Sequence, residues 1–277
     1  MRSSLRLTAV ALVALAPSVA VHARQTPAPA PALTLEQMEA FLLNAKIISM
    51  RPAPEGVTRT RRATLSDGTL THDAQIQVVD ESRALFEAGK FSEVNFKDSY
   101  RYNIAAYRLA RLLELDNVPM SVERQVEGRR AAVTWWIDDV VMDEGDRVKK
   151  KVNDSNALRG SGYVYRHRVF DELIQNRDRN LGNLLYTSDW KMWMIDHTRA
   201  FRLGRTLLKP DQLVRIERSF FENLKKLTPT SVAEAVRTSL SKQEIDALIA
   251  RRNVIVELFE QKIARSSEAA VLFTMPQ

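Results

Sequence analysis

The chain has 277 residues, 45% of them apolar and 27% charged, which suits a globular protein with one large core or two lobes. It contains no cysteine, which excludes disulfides and any cysteine-based zinc or redox site, and His22, His72, His167 and His197 lack metal-ligand spacing. The net charge of +7 comes from bases scattered over many segments, without the aromatic-interleaved basic patch expected of a nucleic-acid binder.

The N-terminus reads as a processing signal. Arg2 and Arg6 precede an apolar run from Leu7 to Ala16, and Val21-His22-Ala23 fits a signal-peptidase site, with Ser18-Val19-Ala20 as a second choice, so residues 1–23 are expected to be a signal peptide. The run falls short of the roughly 20 apolar residues that a membrane span needs. The mature chain is therefore expected to be periplasmic or secreted, with no stable membrane span after cleavage, and a monomer is expected. Losing Arg2 and Arg6 would leave 39 basic and 34 acidic residues, a net charge of +5 that is compatible with phosphorylated ligands. Residues 24–33 hold a Pro/Ala tract, a stiff linker with nothing to pack.

Residues 34–137 are expected to form a mixed N-terminal lobe. Thr34 and Gln37 make a capping box, and Leu35, Met38, Phe41 and Leu42 share one face of the helix that follows. Two strands, 57–65 and 69–79, are predicted around Ser66-Asp67-Gly68, because Asp-Gly favours a hairpin turn. An amphipathic helix over Ile104–Leu115 has Ile104, Tyr107, Leu112 and Leu115 as core contacts, with Pro119 just beyond its end. Strands follow at Ser121–Val126 and Ala131–Ile137, joined at Glu127-Gly128. Residues 138–146 read as a connector and 147–277 as a helical lobe that opens on the basic run Arg147-Val148-Lys149-Lys150-Lys151. Its end holds helices near 208–226, 230–239 and 242–265, the last with a Ser241…Glu244 capping box.

The chemistry is concentrated in residues 176–201, NRDRNLGNLLYTSDWKMWMIDHTRAF. Asp178 and Asn183 are five apart, and two apolar runs, Leu184–Tyr186 and Trp190–Ile195, surround a polar Thr187-Ser188-Asp189 turn. That pattern reads as a β-hairpin with Asp196 at its far end. Phosphoryl transfer depends on positioning and charge neutralisation more than on covalent help. Asn183 and Asp196 offer hard oxygens suited to Mg²⁺ or Mn²⁺. Asp178 would face an incoming hydroxyl and orient it or accept its proton.

The loop Asp178-Arg179-Asn180-Leu181-Gly182-Asn183 resembles the D-R-N-x-G-N loop of type II phosphatidylinositol 4-kinases. Residues 194–201 are similar to the I-D-x-x-x-A/G-F segment of those enzymes, of HipA-type kinases and of secretory-pathway casein kinases. The last group also matches residues 103–113 ahead of a Val-Pro. The resemblance spans about residues 45–265 and implies an atypical kinase. Its expected fold is α+β, two-lobed and protein-kinase-like, β-rich first and helical second, with ATP and Mg or Mn in the cleft.

Two positions depart from that pattern. Aligning Ala74-Gln75-Ile76-Gln77 with the usual strand puts Gln77 where a Lys holds the phosphates, and Asn103 where the helix Glu belongs. An amide pair would then shape the phosphate pocket without a cation, leaving Arg59, Arg61, Arg62 or Lys97 to supply positive charge. The glycine-rich loop is reduced to Gly56. The expected function is an exported, metal-dependent phosphotransferase moving the ATP γ-phosphoryl group to a protein, lipid or sugar hydroxyl. Two alternatives stand beside it: a nucleotide-binding pseudokinase, and transfer of AMP on the same fold.

Overall fold

The computed structural model describes residues 33–53, 60–89 and 91–276. The expected signal peptide, nearly all of the linker, Gly56 and Arg59 lie outside the described residues. Thr34 caps helix α1 (Leu35–Asn44): its hydroxyl accepts from Gln37 N–H, and the Gln37 side chain accepts from Thr34 N–H. Phe41 and Leu42 form the buried stripe of that helix.

Strands β1 (Lys46–Pro52), β2 (Arg61–Ser66) and β3 (Thr71–Gln77) follow. The β2–β3 turn is set by Asp67, whose carboxylate accepts from Thr69 and Leu70 N–H, and by Gly68 at φ +94°. A second hairpin, β4 (Asp80–Ala88) and β5 (Phe91–Ser99), comes next; nothing in the sequence pattern announces it. Helix α2 (Arg101–Leu112) starts and stops three residues earlier than predicted. It begins as soon as β5 ends, and Glu114 at φ +57° turns the chain out of helix. Strands β6 (Ser121–Val126) and β7 (Arg129–Trp135) complete a five-stranded antiparallel sheet of order β1-β2-β3-β7-β6.

The connector contributes a strand of its own. Strand β8 (Val140–Asp143) leads into α3 (Glu144–Lys150), then α4 (Ala157–Ile174), and pairs with the hairpin β9 (Leu184–Thr187) and β10 (Met192–Met194). The remainder is β11 (Ile216–Glu217), α5 (Arg218–Lys226), α6 (Pro229–Val236), α7 (Lys242–Arg265), α8 (Glu268–Val271) and β12 (Leu272–Phe273).

The helix predicted over 208–226 is only α5. The segment before it is irregular: the buried Glu172 carboxylate fixes the Leu208 and Lys209 N–H groups at 2.7 and 2.9 Å, and Pro210 opens only a 3₁₀ turn, Pro210–Gln212. Ile216 and Glu217 instead pair in parallel with Leu272 and Phe273.

A β-rich N-terminal lobe thus precedes a helical C-terminal lobe, and one buried apolar cluster runs through both, from Phe41 to Leu272. Among the described residues no helix is long and apolar enough to cross a membrane.

Candidate active site

The catalytic-type loop hangs from the end of α4. Gln175 at φ +48° caps the helix, and Asn176 Oδ1 accepts from Asp178 N–H at 3.2 Å. Arg179 then fastens the loop to the β9–β10 hairpin. It grips Asp171 through Nε and Nη2 (2.9 and 3.0 Å) and donates from Nη1 to the carbonyls of Asn183 (3.1 Å) and Ile195 (2.6 Å). Ile195 N–H also donates to Asn183 C=O at 3.1 Å, so Asn183 and Asp196 sit at one end of the hairpin. Asn183 Nδ2 reaches Asp178 C=O at 3.4 Å. The loop sequence therefore delivers Asp178, Asn183 and Asp196 to one place through an arginine whose role there its spacing does not reveal.

Gln77, at the end of β3, and Asn103, in the first turn of α2, meet Asp196 from the other side. Asn103 Nδ2 donates to Gln77 Oε1. Gln77 Nε2 lies 3.5 Å from Asp196 Oδ1 and 3.4 Å from Thr60 Oγ1. Asn103 Oδ1 accepts from His197 N–H at 2.8 Å, and Thr198 Oγ1 donates to Asp196 Oδ1 at 3.1 Å. Asp196 itself is held at φ +52°, a left-handed conformation that costs a non-glycine residue about 1–3 kcal/mol.

Asp178 is reached from the β4–β5 hairpin. Arg199 donates from Nε to Asp98 Oδ2 at 3.0 Å and places Nη1 3.5 Å from Asp178 Oδ2. Burial pushes the Asp178 carboxyl above the usual aspartate range; Arg199 opposes the shift, and the charges of Asp196 and Asp98 add to it. The same hairpin supplies buried Glu93, which accepts from Arg202 Nε (2.7 Å) and Arg177 Nη1 (3.3 Å). Ser99 N–H donates to Thr198 C=O at 2.9 Å. Glu93 and Asp98 are thus anchors of the segment around Asp178 and Asp196. No local signal could have found them, because their partners lie about a hundred residues away in sequence.

The other candidate cations are engaged elsewhere. Arg61 pairs with Glu127 at 2.8 Å, and Arg62 pairs with Asp73 and stacks on Trp136. Lys97 binds Glu244 at 2.7 Å beside a cavity of about 240 Å³, which is lined by Asp80, Arg101 and Tyr102 and not by Asp196. His197 is fully buried, and burial holds its imidazole well below its ordinary pKa, so it is neutral.

The oxygens at this point suit a divalent cation by their chemistry. Asn183 Oδ1 and Asp196 Oδ2 accept no hydrogen bond among the described residues. Both are hard oxygens, and Mg²⁺ or Mn²⁺ with phosphate and water ligands needs only one or two protein ligands of this kind. Among the described residues no cluster of three or more His, Asp or Glu suits a metal.

No protein-family model matches the chain, and no curated protein matches it either. Solved structures do. The structure of hydra Fam20 with sugar superposes with a TM-score of 0.66 at 14% identity, covering 87% of this chain and 92% of that one. The Golgi casein kinase with Mn/ADP bound gives 0.63 at 14% identity, covering 86% and 78%, and a second structure of the Golgi casein kinase gives 0.61 at 13%, covering 87% and 80%. At such identities the likeness speaks for architecture. The chain has the fold of the atypical kinases, of the kind seen in Fam20 and the Golgi casein kinase.

Proposed function

We propose that the protein is an exported, metal-dependent phosphotransferase that moves the ATP γ-phosphoryl group to a hydroxyl of a protein, lipid or sugar. One observation carries the reading: Asp178, Asn183 and Asp196 converge at the end of a pinned hairpin inside an atypical kinase fold. Asp196 and Asn183 would hold Mg²⁺ or Mn²⁺, which when bound supplies charge neutralisation at the phosphates. Asp178 would orient the acceptor hydroxyl, and its raised pKa makes its carboxylate a better proton acceptor. Arg199 and Asp98 hold that carboxylate in place. Gln77 and Asn103 form the buried wall behind Asp196.

The neutral Gln77–Asn103 pair also favours a second reading, a nucleotide-binding scaffold without transfer. Export rests on the N-terminal pattern of Arg2, Arg6 and the Leu7–Ala16 run, and is supported by likeness to a Golgi enzyme. The Golgi casein kinase structure with Mn/ADP bound makes Mn²⁺-ATP the first ligand to try.

The test is thermal unfolding with Mn²⁺- or Mg²⁺-ATP, beside Asp196→Ala. Ligand at about 100 times its dissociation constant stabilises by about 2.7 kcal/mol, about 5–10 °C for a chain of this size. A metal-dependent shift that the variant lacks supports the site, and mass spectrometry of candidate acceptors then distinguishes added phosphate from added AMP. Binding with no transfer to any acceptor favours the scaffold. Equal curves for wild type and variant would sink the phosphotransferase reading.

A further inference from the structure

The geometry points to Gln77 and Asn103 as a positioning unit that aims the Asp196 carboxylate, and not as ligands of the donor phosphates. This rests on the phosphotransferase reading above and specifies how its metal-binding group is held.

A glutamine side chain has one acceptor oxygen and two N–H donors, as does an asparagine. Gln77 Oε1 accepts from Asn103, and its Nε2 faces Thr60 Oγ1 and Asp196 Oδ1 at 3.4 and 3.5 Å. Asn103 uses one N–H on Gln77 and its oxygen on His197 N–H. Of the pair's four N–H donors, the groups that a phosphate would need, one N–H of Asn103 remains without a partner among the described residues. Gln77 is 1% exposed and Asn103 6%, so a phosphate group could reach them only by breaking this network.

The network ends on both parts of the segment that matter. Gln77 and Thr198 converge on Asp196 Oδ1, while Asn103 holds the next backbone N–H, that of His197. Together they fix the carboxylate and the left-handed backbone that carries it, and they leave Oδ2 unengaged. The choice of amides has a physical consequence. A cation in place of the amide, whose Nε2 lies 3.5 Å from Asp196 Oδ1, would compete with a metal for that carboxylate. A neutral donor orients the carboxylate and leaves its full charge available. Metal should therefore bind without help from nucleotide, and through this unit.

The experiment is Mn²⁺ binding without nucleotide, read by electron paramagnetic resonance of free Mn²⁺. It compares wild type with Gln77→Met, Asn103→Leu, Thr198→Val and Asp196→Ala. Loss of a group that orients a metal ligand raises the dissociation constant about 10- to 100-fold, and that is the expectation for Gln77→Met and Asn103→Leu. Thr198→Val, which keeps the side-chain volume and removes only the bond to Oδ1, should weaken binding less. It carries the test if the buried amide variants fail to fold. In Asn103→Leu, hydrogen exchange at the His197 amide should also accelerate. Unchanged Mn²⁺ affinity in Gln77→Met and Asn103→Leu, with weakened Mn²⁺-ATP binding, would make the pair phosphate ligands and overturn the inference alone. Wild type binding Mn²⁺ no better than Asp196→Ala would overturn the metal reading, and the inference with it.

Discussion

Replacing Glu93 tests whether the β4–β5 hairpin is what holds the catalytic-type segment. Glu93 is 5% exposed and accepts from Arg202 Nε at 2.7 Å and Nη2 at 3.4 Å, with Arg177 at 3.3 Å. Removing one partner of a buried pair strands the other charge and costs about 3–5 kcal/mol. Arg177 is 44% exposed and contributes little. Arg202 keeps one bond, from Nη1 to Lys97 C=O at 2.5 Å, which places Glu93→Ala near the lower end of that range. About 3 kcal/mol corresponds to a fall of about 6–12 °C in Tm at this size. The assay is thermal and urea unfolding of Glu93→Ala, Arg202→Met and the Glu93→Met/Arg202→Met pair, with hydrogen exchange across residues 80–99. The apolar pair should be close to neutral, because both charges leave together. A cost under about 1 kcal/mol for Glu93→Ala, or a double variant as costly as the two single losses summed, would refute the clamp.

Two further predictions concern pH. The folded pKa of Asp178 lies above its ordinary value of 3.8, chiefly from burial, so ionisation penalises the fold. Asp178→Asn should raise Tm at neutral pH, with the gain fading as pH falls through the folded pKa towards 3.8; a variant no more stable at neutral pH would contradict this. Glu244 behaves in the opposite sense. Burial raises its pKa, but hydrogen bonds from Lys97, Tyr102 and Ser241 outweigh it and hold the group below 4.5. Its contribution is complete above 4.5 and lost as pH falls through the lowered folded value, so wild type should exceed Glu244→Gln at neutral pH and converge with it in acid. Parallel Tm–pH curves would refute the assignment.

The parts of this protein that its sequence determined are those whose physics is local. The capping boxes at Thr34 and Ser241, the Asp67-Gly68 turn, the β6–β7 turn at Glu127-Gly128 and the β9–β10 hairpin all involve partners within a few residues. So does the spacing of Asp178, Asn183 and Asp196, which is why the candidate chemistry was legible before the fold. Tertiary structure decided the rest, because those contacts bind residues far apart in the chain. Where the local pattern reads one helix over 208–226, Glu172 fixed the N–H groups of Leu208 and Lys209, and Leu272 and Phe273 drew Ile216 and Glu217 into a strand pair. Gln77 found Asp196 across 119 positions, and Arg202 found Glu93 across 109. A buried amide or carboxylate must be matched by whatever polar group the packed chain brings to it, and no periodicity records which one that will be.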